Sequence, residues 1–217
     1  MHTRQIALFG KSAKQNNFCV SGIDIKTKKY IRPISENPAF EDAVPRSHYV
    51  YEDGSLIQDF DIVEIRFKDD SPDNIIQPEN LYYDENFRWR KIKSLSLREM
   101  VNLHPLDIRE NLFYNSERSV SVELVQQQSQ RESLLFVLIK NLYIRVEMYD
   151  RPKFYATFSH NHKRYWRFSL GDIKVRNLFQ NHEAGEYFFK ERAIAVLSLT
   201  NPYYRDNKCY KMLAQVF

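Results

Sequence analysis

The chain of 217 residues carries 32 Lys and Arg against 28 Asp and Glu, a formal net charge of +4, with 43% hydrophobic and 28% charged residues. That balance excludes a disordered polyelectrolyte, and no stretch approaches the roughly 20 apolar residues of a membrane-spanning helix, nor does the start MHTRQIALFG hold a leader-like apolar core. Aromatic residues reach 14%, with 14 Tyr and 15 Phe beside only 5 Gly, which favours strands and flat binding surfaces.

Gln5 to Phe9 and Phe18 to Ile25 read as β-leaning runs separated by the polar loop KSAKQNN, an opening hairpin. After a charged turn at Lys26 to Lys29, Tyr30 to Ile34 resumes as a strand that Pro33 confines to an edge or an end. Ser35 to Ser55 is expected to be a long irregular connection. Asp61 to Phe67 then alternates Val63, Ile65 and Phe67 with Ile62, Glu64 and Arg66, the pattern of a half-buried strand. Gln77 to Asn80 breaks the chain again.

From Ser96 to Leu103 the period changes. Leu97, Met100, Val101 and Leu103 stand at helical spacing, with Ser94 or Ser96 as the cap and His104-Pro105 as the stop. Leu106, Ile108, Leu112 and Phe113 predict a further helical turn or two, so a helical bridge is expected in the middle of the chain, with a boundary near Asn115 to Ser119. Val120 to Val125 and Leu134 to Val146 read as strands around QQQSQRES. Lys153 to Ser159 and Lys163 to Leu170 flank the turn Ser159-His160-Asn161-His162, the clearest hairpin of the sequence. Asp172 to Phe179 is expected to be a short helix, and Ala193 to Leu199 and Tyr210 to Phe217 the closing strands.

Charge is segregated along this plan. Residues 1–35 hold seven Lys/Arg and one acid, residues 140–180 nine and three, and residues 36–139 only 11 against 20. Two basic blocks brought to one face would form the footprint of a polyanion binder.

Lys11, Cys19, Val20, Gly22, Tyr30 to Ser35, Asp61-Ile62-Val63 and Gln77-Pro78-Glu79-Asn80 together resemble the dual OB-fold domain family of bacteria. Tyr155 to Phe158, Tyr165, Leu170 to Asp172, Leu197 to Thr200 and Cys209-Tyr210-Lys211 resemble the pieces of its second barrel. The likeness runs from about residue 4 to 217 and departs at His160-Asn161-His162-Lys163, where a glycine is expected. It implies a mainly β fold with a helical insertion, built as two tandem OB-like barrels over 1–115 and 116–217. OB barrels commonly present a sheet face and its loops to single-stranded nucleic acid. Similar domains occur in bacterial defence and mobile-element settings, which the resemblance extends to this chain as an expectation.

The hairpin from Phe154 to Phe168 interleaves six rings with Lys153, Lys163, Arg164 and Arg167, an arrangement in which rings stack on bases and cations neutralise phosphates. Strand alternation sends about half of those rings into the core, leaving Tyr155 or Trp166 outside. Tyr30 and Arg32 form a second patch, in which Arg32 either forks onto a phosphate or pairs with a carboxylate such as Asp61. Lys11 and Lys14 on the first loop supply charge alone. His160 and His162 make an H-x-H pair that needs further ligands, such as His182, Cys209 or Asp172, to hold a metal, and the pair reads instead as an exposed turn. Cys19 and Cys209, distant and outside any CxxC spacing, read as small buried hydrophobes, giving no disulfide framework or zinc knuckle.

The five glycines are dispersed, so neither a P-loop nor a dinucleotide fingerprint can be written. The expectation is therefore a cytoplasmic nucleic-acid-binding module without metal or cofactor, its partner a single strand of DNA or RNA. Two alternatives remain open in the residues: a nucleotide- or nucleic-acid-processing enzyme using Cys19, Cys209, Lys211 or the histidines, and an adaptor whose exposed rings dock a protein.

Overall fold

Apolar side chains draw the first half of the chain into five strands around one core, alternating in the strand at 61–67 and running continuously from Ile6 to Phe9. The computed structural model describes residues 1–14 and 16–217. β1 (His2–Lys14) pairs antiparallel with β2 (Asn17–Asp24), β2 with β3 (Tyr30–Ile34), and β4 (Asp61–Phe67) with β1. β3 runs parallel to β5 (Asn80–Tyr82). Lys68 N–H to Tyr82 O and Asp84 N–H to Arg66 O then join β5 to β4, so the order 1-2-3-5-4-1 closes a barrel. β6 (Arg90–Ser94) lies outside β4.

Ile6, Leu8, Val20, Val63, Ile65 and Phe67 point into this barrel. Removing each such side chain from water contributes about 1.5–3 kcal/mol. Trp89 stands edge-on to Tyr49 and Tyr83 in the same core. Neither β5 nor β6 follows from the sequence pattern, because their pairing is supplied by distant strands.

Two expectations for this half change. The polar run KSAKQNN is not a loop throughout: β1 continues to Lys14 and β2 begins at Asn17, because this register buries Ser12 and half-buries Ala13 and Phe18. Gln15 of that run lies outside the described residues. β3 is flanked on both sides, yet Pro33 causes no conflict, since pairing with β2 ends at Ile31 and Pro33 meets only Leu81 of β5. The long connection after β3 contains two short 3-10 turns, Pro38–Phe40 and Arg46–His48.

Helix α1 (Leu97–Leu103) begins at Ser96, whose hydroxyl accepts from Glu99 N–H while Glu99 reaches back to the cap. Such a reciprocal cap is worth about 1 kcal/mol. The helical continuation expected through Leu106 and Ile108 does not form. Asp107 instead bridges Val137 in parallel, and only Leu112–Tyr114 makes a 3-10 turn, with Leu112 and Phe113 buried in the second core.

The second barrel repeats the first topology with longer strands. β7 (Ser119–Ser121) leads into α2 (Val122–Gln126), where a single strand over Val120 to Val125 was expected; the Ser121 hydroxyl accepts from Leu124 N–H and turns the chain into a helix. β8 (Leu134–Glu147), β9 (Lys153–His160) and β10 (Lys163–Leu170) form an antiparallel meander. α3 (Ile173–Phe179), capped by Asp172, leads to β11 (Gly185–Leu199), which pairs with β8 and with β12 (Lys208–Val216). β12 closes on β10 in parallel through Ser169–Met212 and Leu170–Leu213. Strand order 8-9-10-12-11-8 is the same closed arrangement as in the first barrel, and β7 is added to β12.

The chain divides into two compact units, Met1–Asn74 with Glu79–Pro105, and Ile75–Pro78 with Leu106–Phe217. Ile75–Pro78 belongs to the second unit, where the Gln77 side-chain amide donates to Leu199 O at 2.8 Å. No helix among the described residues is long and apolar enough to cross a membrane.

Candidate nucleic-acid interface

The β9–β10 hairpin turns through Asn161 and His162, both at positive φ (44° and 63°). That two-residue turn matches the twist of its strands, and asparagine tolerates the left-handed region without the glycine expected there. His160 is not an exposed turn residue. It is buried, with Nδ1 2.9 Å from Leu138 O and Nε2 3.1 Å from Arg109 O, which ties the hairpin tip to neighbouring backbone. His162 is exposed, and no cluster of metal-ligating side chains occurs among the described residues.

A bulge in β10 decides what the hairpin displays. Register slips between Tyr165 and Phe168, and Arg167 takes φ of 56°. Tyr165 and Phe168 both enter the core, so the two residues between them, Trp166 and Arg167, both face outward. A bulge that places a non-glycine residue in this region costs about 1–3 kcal/mol and characteristically re-aims side chains. β8 carries a second bulge at Asn141 (φ 50°), between the inward residues Ile139 and Leu142.

The resulting outer face is aromatic and cationic. Trp166 is 52% exposed, with the Arg164 guanidinium 3.8 Å from its ring centroid. Arg167 lies 4.8 Å over the half-buried Tyr155. On β8 and β11, Tyr143 meets Phe188 edge-on at 5.4 Å, and Phe188 is 58% exposed. Lys140, Lys190 and Arg192 are exposed beside them, with the acids Glu186 and Glu191 exposed on the same β11. Thr157 sits in the middle row, opposite Tyr143 on one side and the bulge on the other; its hydroxyl is buried without a hydrogen-bond partner.

At the end of β8, Glu147 gathers the nearby cations. Arg145 Nε and Arg167 each reach its carboxylate at 2.9 Å, and the Tyr149 hydroxyl donates at 3.1 Å. Burial pushes the Glu147 carboxyl up, but the Arg145 and Tyr149 hydrogen bonds and the arginine charges outweigh it and hold the group below its usual range. Lys153 lies 4.6 Å over the Tyr149 ring.

Of the nine residues singled out from sequence, Lys153, Tyr155, Arg164, Trp166 and Arg167 therefore share the second barrel's outer face. The other four occupy the first barrel and are engaged there. Lys11 is in β1, its amine 5.3 Å over Phe18 and 4.9 Å over Tyr49, and the Lys14 amine donates to Glu41 O. Tyr30 packs between Phe9 and His104 at 5.9 and 4.7 Å. Arg32 is buried and pairs with Glu79 at 3.3 Å; Asp61 instead binds Tyr51, Ser94 and Lys91. Outward residues Ala7, Phe9 and Ile23 of this barrel are fully buried, so its β1–β2–β3 face presents no open stacking platform.

Sequence reasoning missed the loop between β11 and β12. Tyr204 is 80% exposed there, and Arg205 Nε donates to its hydroxyl at 2.9 Å. The signal present in the sequence was the run Tyr203-Tyr204-Arg205 immediately after Asn201-Pro202, a turn carrying rings and a cation. In OB barrels the strand 2–3 face and the loops after strands 1 and 4 bind oligonucleotides and oligosaccharides. Here those elements are β9–β10, the 148–152 loop and the 200–207 loop.

Burial pushes the Cys209 thiol up to about 11 and raises that of Cys19 as well.

The family model described as the dual OB-containing domain matches residues 4–216. No match is found among curated proteins. Two successive barrels of the same closed strand order, under a family match over nearly the whole length, establish that the chain belongs to the dual OB-containing domain family.

Proposed function

We propose that the chain is a nucleic-acid-binding module that lays a single strand of DNA or RNA across the outer face of its second barrel. The observation that carries this reading is the β10 bulge, which turns Trp166 and Arg167 outward together beside Arg164 and Tyr155. Arg164 stacks on Trp166, whose ring is about half exposed and offers a surface for a base, and each base–aromatic stack is worth about 1–3 kcal/mol. Exposed cations on β8 and β11 follow the phosphates by charge, and the exposed Tyr204 ring offers a further surface for stacking. The first barrel, whose strand face is buried, serves as a scaffold. In keeping with the family resemblance, we place this activity in the cytoplasm of a bacterium, in a defence or mobile-element system, acting by binding without a cofactor.

Fluorescence anisotropy with labelled single-stranded DNA, single-stranded RNA and duplex at two salt concentrations tests the proposal. The wild type is expected to prefer single strands and to weaken as salt rises. Trp166→Ala is expected to lose about 5- to 150-fold in affinity, the equivalent of one stacked base. Lys14→Ala, whose amine is already held by Glu41, serves as the silent control. Absence of binding to all three probes by folded protein would sink the proposal.

A further inference from the structure

Glu147 ends β8 where the outer face meets the 148–152 loop. Its carboxylate accepts from both terminal nitrogens of Arg167, Nη1 to one oxygen and Nη2 to the other at 2.9 Å each, a two-pronged fork. Arg145 Nε adds a third bond at 2.9 Å and the Tyr149 hydroxyl a fourth at 3.1 Å. Four donors converge on one anion from three side chains, and that anion is only 13% exposed.

This donor set is more elaborate than strand pairing requires. Arg145 and Glu147 are two apart on one strand and share a face without help, whereas Arg167 is brought in from β10 by a bulge that holds it at positive φ. A guanidinium fork grips a carboxylate and a phosphate with the same geometry. Arg145, Glu147 and Tyr149 also line an open crevice of about 390 Å³, with Met148, Gly185 and a second acid, Glu186, so a group entering from solvent reaches the Arg145 and Tyr149 side of the cradle.

The geometry points to a phosphate seat built from Arg145, Arg167 and Tyr149 that the chain's own Glu147 occupies in the free protein. Binding a strand then exchanges one anion for another: a phosphate takes the fork while the Glu147 side chain swings into the crevice. Glu147 acts as an internal competitor that lowers affinity and speeds release. The inference rests on the second-barrel face being the nucleic-acid interface, and it assigns the seat to a phosphate, either a backbone diester or a terminal monoester.

Glu147→Gln tests it, with 5′-phosphorylated and 5′-hydroxyl single strands as probes. Removing the competing charge is expected to tighten binding by about 10-fold, and to steepen the salt dependence by about 0.7 in log K against log salt for one further phosphate neutralised. A gain confined to the 5′-phosphorylated strand assigns the seat to a terminal monoester, and an equal gain on both assigns it to the backbone diester. Unchanged or weaker binding by folded Glu147→Gln, while the wild type binds, would overturn the competitor and make Glu147 a positioning residue. If neither protein binds either probe, the functional proposal itself fails.

Should the variant not fold, the wild type carries the test. The guanidinium NMR signals of Arg145 and Arg167 are expected to shift when a 5′-phosphorylated or 5′-hydroxyl strand is added. Unmoved signals, with Trp166 fluorescence reporting binding, would overturn the seat.

Discussion

Lys211 on β12 is 1% exposed in the core of the second barrel. Its Nζ donates to Asn115 O and Oδ1 at 2.7 Å each and lies 6.0 and 5.9 Å from the Tyr165 and Phe168 rings. Burial pushes the amine down from 10.5 to about 7, with the Glu117 charge opposing. The unfolded chain holds this proton up to about pH 10.4 while the folded one releases it near 7, so between those values the unfolded state binds more protons and stability rises with pH. The penalty for burying the amine falls by about 3 kcal/mol between pH 7 and 9.5.

Urea unfolding of wild type and Lys211→Met across that range reads this directly, since titrations common to both proteins cancel in the difference. The wild type is expected to gain about 3 kcal/mol relative to the variant as pH rises. Parallel curves would refute the reasoning and show that the two Asn115 oxygens hold Lys211 charged inside the barrel.

Further outcomes follow from the same geometry. Arg32→Ala leaves Glu79 buried without its guanidinium and is expected to destabilise the protein by about 3–5 kcal/mol in urea melts, while the affinity of folded protein for a single strand stays unchanged. A Cβ added at Gly22 would lie 2.6 Å from Ala7 O and 2.5 Å from Ile6 Cγ2, so Gly22→Ala is expected to cost about 1–3 kcal/mol by forcing β1 and β2 apart, measured as a lowered melting temperature. Tyr204→Ala, on an exposed loop, is expected to leave stability within about 0.5 kcal/mol while weakening strand binding several-fold in anisotropy.

Local chemistry made much of this fold legible in the sequence. Alternation at Val63, Ile65 and Phe67 placed β4, the helical spacing of Leu97, Met100, Val101 and Leu103 after Ser94 or Ser96 placed α1, and the apolar run from Leu134 placed β8. The aromatic and cationic hairpin was visible for the same reason, because its residues are neighbours along the chain. Partners brought from a distance were not visible. β5 and β6 are short segments stabilised by β3 and β4, and the Arg32 carboxylate partner comes from Glu79.

Periodicity states that a strand has two faces without saying which of them another element covers. Tyr30 and Trp166 read alike in sequence, yet tertiary packing holds Tyr30 between Phe9 and His104 and leaves Trp166 in solvent. The bulge at Arg167 likewise breaks the period of two, so no count along β10 alone sends Trp166 and Arg167 to one side. The sequence by itself determined which segments become strands and where ring and charge are concentrated, since these depend on residues a few positions apart. Tertiary structure alone decided which face stays open and which carboxylate meets each arginine, because both depend on closing a barrel between strands tens of residues apart.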